Sequence, residues 1–166
     1  MADENAVPGE PLTNGADTAP VAGLLSQYVK DFSFENPNAP AIYQTQLAPQ
    51  VDIQFNIGSG QVGDDLFEVV LKIDVRATMN DQVAFVVDLS YAGLFAIRNV
   101  PEEQLQPFLL AEAPRILFPF ARRVVADAVR DGNFPPLLIE PLDFGGLYMQ
   151  QLEAQQQAVG QPVGQA

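Results

Sequence analysis

The chain has 166 residues, of which 21 are acidic and 8 are basic, and it contains no Cys, His or Trp. Without thiols and imidazoles it has no disulfide framework, no Cys/His zinc site and no Ser-His-Asp or Cys-His nucleophile. The formal net charge of −13 repels nucleic acid and anionic membrane surfaces and favours basic partners. At this length we expect one domain with its own hydrophobic core.

Polar tails are predicted at both ends of this domain. Residues 1–23 carry several prolines and four acids with no base, which predicts a disordered acidic tail. Residues 154–166 are rich in Gln and contain Gly160 and Pro162, which predicts a second disordered tail. The folded domain is therefore expected over residues 24–153.

The sequence predicts no membrane-spanning segment and no secretory signal. No apolar run approaches the roughly 20 residues that a spanning helix needs. The first residues, Met1 to Asn5, include neither a positive charge nor an apolar core of a signal peptide. We therefore expect a cytoplasmic protein without direct membrane insertion.

Strand patterns occupy the middle of the chain. Apolar and polar residues alternate with period two over residues 28–35, 51–57, 67–76 and 83–91. The short links Gly58–Asp65 and Met79–Asp81 predict antiparallel hairpins. In the first strand, alternation predicts one face with Tyr28, Lys30, Phe32 and Phe34, and the opposite face with Asp31, Ser33 and Glu35.

Helical patterns appear only after the strands. The fold class is therefore α+β, a four-stranded antiparallel sheet with helices segregated C-terminally. Asn99-Val100-Pro101-Glu102 predicts the capped start of a short helix. An apolar stripe from Pro114 predicts a longer helix that Gly132 ends, and Asp143 is predicted to cap a last amphipathic helix.

Two acidic or glycine-rich motifs are weak indications of a cofactor or metal. Residues 58–63 match G-x-G-x-x-G, but a strand pattern and two aspartates follow where a phosphate site needs a helix N-terminus. A glycine-rich hairpin loop is the favoured interpretation. Asp64, Asp65 and Glu68 lack the EF-hand spacing, so a polar turn is favoured over a Ca²⁺ site. We predict no cofactor and no metal.

The polar strand positions suggest a docking surface. Asp31 and Glu35 are predicted to share a face, and Val86 and Asp88 occupy the polar face of another strand. If these faces coincide, an apolar residue among acids suits a basic peptide with a hydrophobic anchor. A solvated sheet face without a partner is the alternative.

Three segments resemble the SecB protein-export chaperone family: YVKDFSFENPNAP at residues 28–40, RILFPFAR at residues 115–122, and GNFPP at residues 132–136, followed by Phe144 and Tyr148. The resemblance covers about residues 27–150. It implies a four-stranded sheet with two main helices, assembled as a homotetramer that is a dimer of dimers. It also implies an ATP-independent holdase, not an enzyme, that binds unfolded precursor proteins and delivers them to the SecA translocation motor.

The resemblance further implies functional residues. The surface that binds the zinc-containing basic tail of SecA corresponds to Asp31, Glu35, Val86 and Asp88. Client binding is assigned to Leu47, Val51, Ile53, Phe55, Phe144, Tyr148 and Leu152. Packing and assembly are assigned to Val87, Leu89, Tyr91, Leu117, Phe120 and Val124.

Two other classes of function remain open at the level of sequence. An adaptor would bind one folded partner through the acidic face and would ignore unfolded chains. A small α+β enzyme would use one carboxylate whose pKa is raised in a closed pocket.

Overall fold

A single antiparallel sheet forms the framework of the molecule. The computed structural model describes residues 18–160. Four strands lie in the order β1-β4-β3-β2, so the two long hairpin strands β3 and β4 are central. Their bounds are β1 Val21–Glu35, β2 Gln50–Gly63, β3 Leu66–Met79 and β4 Gln82–Arg98. The predicted four-stranded antiparallel sheet is confirmed.

The strands extend further than the sequence pattern predicted. β1 begins within the predicted N-terminal tail, because Val21 pairs with Arg98 at the end of β4. The segment Gly58–Gly63 is part of β2 and pairs with β3, so the expectation of a glycine-rich loop there is wrong. The chain reverses only at Asp64 and Asp65, where Asp65 has a φ of 55°.

The β3–β4 connection has the short turn that the sequence predicted. Asn80 and Asp81 have φ values of 50° and 61°. Positive φ at both central residues is the type I′ geometry that matches the twist of a hairpin, and Asn and Asp tolerate it better than most residues.

A β-bulge at Lys30 reverses the alternation of β1. Val29 pairs with Tyr91, and Asp31 pairs with the next β4 residue, so Lys30 is the extra residue. An inserted residue shifts every following side chain to the other face of the sheet. Tyr28 therefore lies on the opposite face from Phe32, and the predicted common face of these two aromatics is wrong.

A short 3-10 helix, Ala41–Gln44, lies between β1 and β2, and the α-helices follow the sheet and cover one of its faces. They are α1 Glu102–Pro107, α2 Ala113–Asp131 and α3 Phe144–Val159, with a π-helical turn at Phe108–Glu112. Gly132 follows the end of α2, and the Asp143 carboxylate accepts a hydrogen bond from the Gly146 N–H at 3.0 Å, as an N-cap should. Because α3 continues to Val159, residues 154–159 are helical and not part of a disordered tail. Residues 1–17 and 161–166 of the predicted tails lie outside the described residues.

The core lies between α2 and the sheet. Alternate residues of the two central strands are fully buried, as are the α2 residues that face them. These include Leu71, Ile73, Phe85, Val87, Leu89, Phe95, Leu117 and Val125. Burial of each such side chain contributes roughly 1.5 to 3 kcal/mol, before the cost of ordering the chain is subtracted. Since the helices cover this face only, the other face of the sheet remains open.

Candidate functional site

Four residues assigned to partner binding lie together on the open face of the sheet. In the β1–β4 register, Asp31 pairs with Ser90 and Glu35 pairs with Val86. Directly opposed residues of antiparallel strands point to the same face. Val86, Asp88 and Ser90 also alternate with the buried residues of β4, so they point away from the helices.

The charged surface continues onto β3 and β2. Asp88 is opposite Asp74, Val86 is opposite Arg76, and Arg76 is in turn opposite Asp52. We define the acidic face as these carboxylates and the apolar residue among them: Asp31, Glu35, Asp52, Asp74, Val86 and Asp88. Lys72 and Arg76 lie beside these carboxylates on the same face, and within residues 18–160 neither forms an ion pair.

Asp74 is the most perturbed carboxyl group of the acidic face. Partial burial raises its pKa above the ordinary value, a hydrogen bond with Asp88 and the negative charge of Asp88 raise it further, and Lys72 opposes these effects. A depression of about 190 Å³ on the sheet surface is lined by Asp52, Gln54, Asp74, Val75, Arg76, Val86 and Asp88. This surface depression is not the closed pocket that an enzymatic carboxylate was expected to occupy.

A hydrogen-bonded cluster borders the acidic face near the β1 bulge. The Tyr28 hydroxyl donates to one Glu68 oxygen at 2.5 Å, and the Lys30 ammonium donates to the other oxygen at 2.5 Å. These hydrogen bonds, first from Lys30 and then from Tyr28, lower the pKa of Glu68. Tyr28 and Lys30 share this face because they are two residues apart, and the bulge turns the following Asp31 onto the same face.

An apolar groove lies between β2 and α3. Its volume is about 310 Å³, and its lining comprises Phe55, Asn56, Ile57, Leu110, Leu147, Tyr148, Gln150, Gln151 and Ala154. Of the residues assigned to client binding, the groove contains Phe55 and Tyr148. The assignment missed Ile57, Leu147 and Leu110. The first two could have been found from the strand alternation and the apolar side of α3, whereas the π-helical turn that places Leu110 has no clear signal in the sequence.

The remaining client-binding assignments do not converge on the groove. Leu47 and Val51 are exposed outside it, while Ile53 and Leu152 are half-buried. Phe144 is only 3% exposed because its ring packs edge-on against Phe118, with 5.7 Å between the ring centroids. Phe144 is therefore a core residue that supports α3, and its assignment to direct client contact is corrected.

A third surface follows the outer strand β1 and helix α2. Two adjoining depressions of about 430 Å³ each share Val124 and Asp127, and they include Phe32, Phe34, Val29, Tyr91 and Phe120. Phe120 is 46% exposed. Among the residues assigned to packing and assembly, Tyr91, Phe120 and Val124 line this surface. Val87, Leu89 and Leu117 are buried within the subunit.

No helix within residues 18–160 combines the length and the apolar character that crossing a membrane requires. In this range, no three acidic side chains converge in a way that could hold a metal ion.

Sequence relatives identify the class to which this fold and these surfaces belong. The family model "Preprotein translocase subunit SecB" matches residues 15–155. Protein-export protein SecB of Sphingopyxis alaskensis is 67% identical over 156 residues, covering 92% of this chain and 91% of the relative. The protein of the same name from Zymomonas mobilis is 58% identical over 151 residues, covering 90% and 92%.

A solved structure shares the fold. The Mycobacterium tuberculosis SecB-like chaperone in complex with a ChAD peptide from the HigA1 antitoxin gives a TM-score of 0.61 at 22% identity, covering 73% of this chain and 90% of that chain. This likeness shows the shared fold, and the sequence relatives define the class as a chaperone with a role in protein export, not an enzyme. The chain belongs to the SecB family.

Proposed function

We propose that this chain is an ATP-independent holdase of the cytoplasm, which keeps unfolded precursor proteins competent for translocation and delivers them to SecA. The observation that carries the proposal is the separation of an apolar groove between β2 and α3 from an acidic face on the other side of the sheet. Two separate surfaces allow a client and a delivery partner to be bound at the same time. Membership of the SecB family supports the same division.

The composition of the groove suits unfolded chains. Phe55, Leu110 and Tyr148 offer apolar area to exposed hydrophobic segments of a client. Gln150 and Gln151 on its border carry amide groups that donate and accept hydrogen bonds, as the unpaired backbone of an extended client requires. Neither kind of contact depends on a particular client sequence, so many precursors can bind while folded proteins offer no suitable segment.

Assembly would multiply these weak contacts. We propose a homotetramer built as a dimer of dimers, which the exposed apolar surface along β1 and α2 supports. An outer strand presents unpaired backbone groups that a second copy can satisfy. Several grooves in one assembly bind different segments of the same client, and linked weak contacts raise the overall affinity.

Delivery to SecA is assigned to the acidic face. Asp31, Glu35 and Asp88 attract a basic tail over long range, and Val86 offers an apolar contact among them. Such binding should weaken as salt is added, because exposed charges are screened over about 10 Å at 0.1 M ionic strength.

The test uses a client that cannot fold. A secretory protein with reduced and alkylated cysteines is labelled, and its binding is measured by fluorescence anisotropy without nucleotide. We expect a Kd of about 1 μM or below, with binding retained when the acidic face carries Asp31→Asn and Asp88→Asn. Absence of binding at micromolar concentration would contradict the holdase, and an adaptor for one folded partner would then explain the acidic face better.

A further inference from the structure

We infer that Asp74 is a further binding residue of the acidic face, and that its carboxylate and that of Asp88 together hold one cationic side chain of the partner across β3 and β4. The inference rests on the proposed binding of SecA to this face. It extends the contact area from the two strands β1 and β4 to the middle of the sheet.

Strand register places the two carboxylates against each other. Asp74 and Asp88 are directly opposed in the β3–β4 ladder. Opposed residues have Cα atoms about 4.5 to 5.5 Å apart, so both carboxyl groups can reach one ligand atom between them. On the outer strands, Gln54 of β2 is opposite Asp74 and Ser33 of β1 is opposite Asp88, so neither carboxylate has a cation directly opposite it.

Within residues 18–160, neither carboxylate of this pair forms an ion pair. Along β3, Lys72 and Arg76 flank Asp74 in the neighbouring rows, and neither forms an ion pair within residues 18–160. On β2, Gln54 faces Asp74 directly, and Asp52 lies one row away. On β4, Asp88 is the only charged group among the residues facing Asp74 from that strand in the described chain.

The pair is difficult to explain as a device that stabilises the fold. Like charges directly opposed on neighbouring strands destabilise the pairing. Burial raises the pKa of Asp74, and a hydrogen bond with Asp88 and the negative charge of Asp88 raise it further. A cation between the two carboxylates favours the ionised form of both, so binding of a basic side chain should lower the pKa of Asp74.

The shape of the surface agrees with this assignment. Val86 and Asp88, two of the residues already assigned to SecA, line the depression that extends over β3 to Asp52 on β2. A partner whose apolar side chain rests on Val86 therefore has the Asp74 and Asp88 carboxylates within reach of an adjacent Lys or Arg. Arg76 is directly opposite Val86, so its positive charge would repel a second basic residue of the partner on that side.

The experiment measures binding of the zinc-loaded basic tail peptide of SecA by calorimetry, from about pH 5 to about pH 7.5. For the unmodified chain we expect affinity to rise with pH, and protons to be released on binding at the acidic end of this range, as shown by titration in two buffers of different ionisation enthalpy. Asp74→Asn should weaken binding about three- to tenfold at pH 7.5, flatten the pH profile and abolish most of the proton release.

Two controls separate binding from folding and from net charge. Asp64→Asn makes the same charge change in the β2–β3 turn, about 30 Å along the strand from Asp74, and should leave the affinity unchanged. Asp74→Asn removes the opposed charge, so its denaturation midpoint should equal or exceed that of the unmodified chain. A loss of binding that accompanies a lower midpoint would overturn the inference.

The outcomes also distinguish this inference from the function on which it rests. If Asp88→Asn weakens binding while Asp74→Asn behaves like Asp64→Asn, the role of Asp74 is overturned and SecA binding by the acidic face stands. If the peptide does not bind the unmodified chain, or if Asp31→Asn and Asp88→Asn have no effect, the proposed delivery surface is overturned and this inference with it.

Discussion

The ring of Phe34 lies directly against Gly132, so that a Cβ atom at position 132 would be only 2.8 Å from Phe34 Cε1. This contact joins the end of β1 to the end of α2. The Gly132 carbonyl oxygen, which α2 leaves without a helical partner, also accepts a hydrogen bond from the Tyr43 hydroxyl at 2.8 Å. Gly132 has an ordinary φ of −76°, so the requirement for glycine here is steric.

Replacing this glycine should therefore destabilise the fold. We expect Gly132→Ala to lower the free energy of unfolding by about 1 to 2 kcal/mol, because the Phe34 ring must move away from its neighbours. Urea denaturation measures the change. Gly58→Ala is the matched control, since a Cβ at Gly58 meets nothing within 4 Å. Equal losses for both variants would show that the Phe34 contact is not the cause.

The Glu68 cluster predicts a pH-dependent contribution to stability. Hydrogen bonds from Lys30 and Tyr28 lower the pKa of Glu68 below its ordinary value of 4.5. A carboxyl group with a lowered pKa stabilises the folded state above its unfolded pKa, and this contribution is lost as the pH falls through the folded pKa.

Glu68→Gln should accordingly cost about 0.5 kcal/mol at pH 7 and less at pH 3. Unfolding free energies of both chains at the two pH values give the comparison. Glu153→Gln, a change of the same charge at an exposed position of α3, should show no such difference. A deficit for Glu68→Gln that is as large at pH 3 as at pH 7 would contradict the assigned ion pair.

The apolar groove predicts which residues matter for client capture. Leu147→Ser and Tyr148→Ala should each weaken binding of a permanently unfolded client about tenfold, since each removes apolar area from the groove. Leu138→Ala removes a side chain that is 75% exposed but lies outside the groove, and should bind normally. If all three variants lose affinity equally, clients are captured by exposed apolar surface in general and not by the groove.

The surface along β1 and α2 predicts the behaviour of an assembly variant. Phe120→Asp places a charge where a second copy would bury the ring, and burial of an unpaired charge is costly. We expect light scattering to find a smaller species than for the unmodified chain. Val62→Asp, at an exposed position near the end of β2, should leave the assembly intact. A tetramer that survives Phe120→Asp would exclude this surface as the interface.

Sequence periodicity predicted most of the sheet because its strands have one buried face. Val51, Ile53, Phe55 and Ile57 alternate with polar residues, and the structure places them on the side of the helices. The period-two alternation over residues 67–76 also puts Asp74 on the polar side of β3. It could not show that Asp74 stands opposite Asp88, because strand register depends on pairing between distant parts of the chain.

Local irregularities account for the errors. The extra residue at Lys30 has no distinctive composition, since a bulge is defined by the partner strand, and it moved Tyr28 to the open face. The sequence shows no clear alternation over Gly58–Gly63, and this segment extends β2 only because its backbone pairs with β3. The π-helical turn after Pro107 similarly placed Leu110 in a groove that the helical pattern did not predict.

The most direct test of the chaperone function is the refolding of a slow-folding precursor from denaturant without ATP, with and without about four chains of this protein, one proposed tetramer, per client. We expect dose-dependent arrest of refolding, relieved when an excess of permanently unfolded chain competes for the groove. Refolding at the same rate and yield in the presence of the folded, assembled protein would contradict the proposed holdase function.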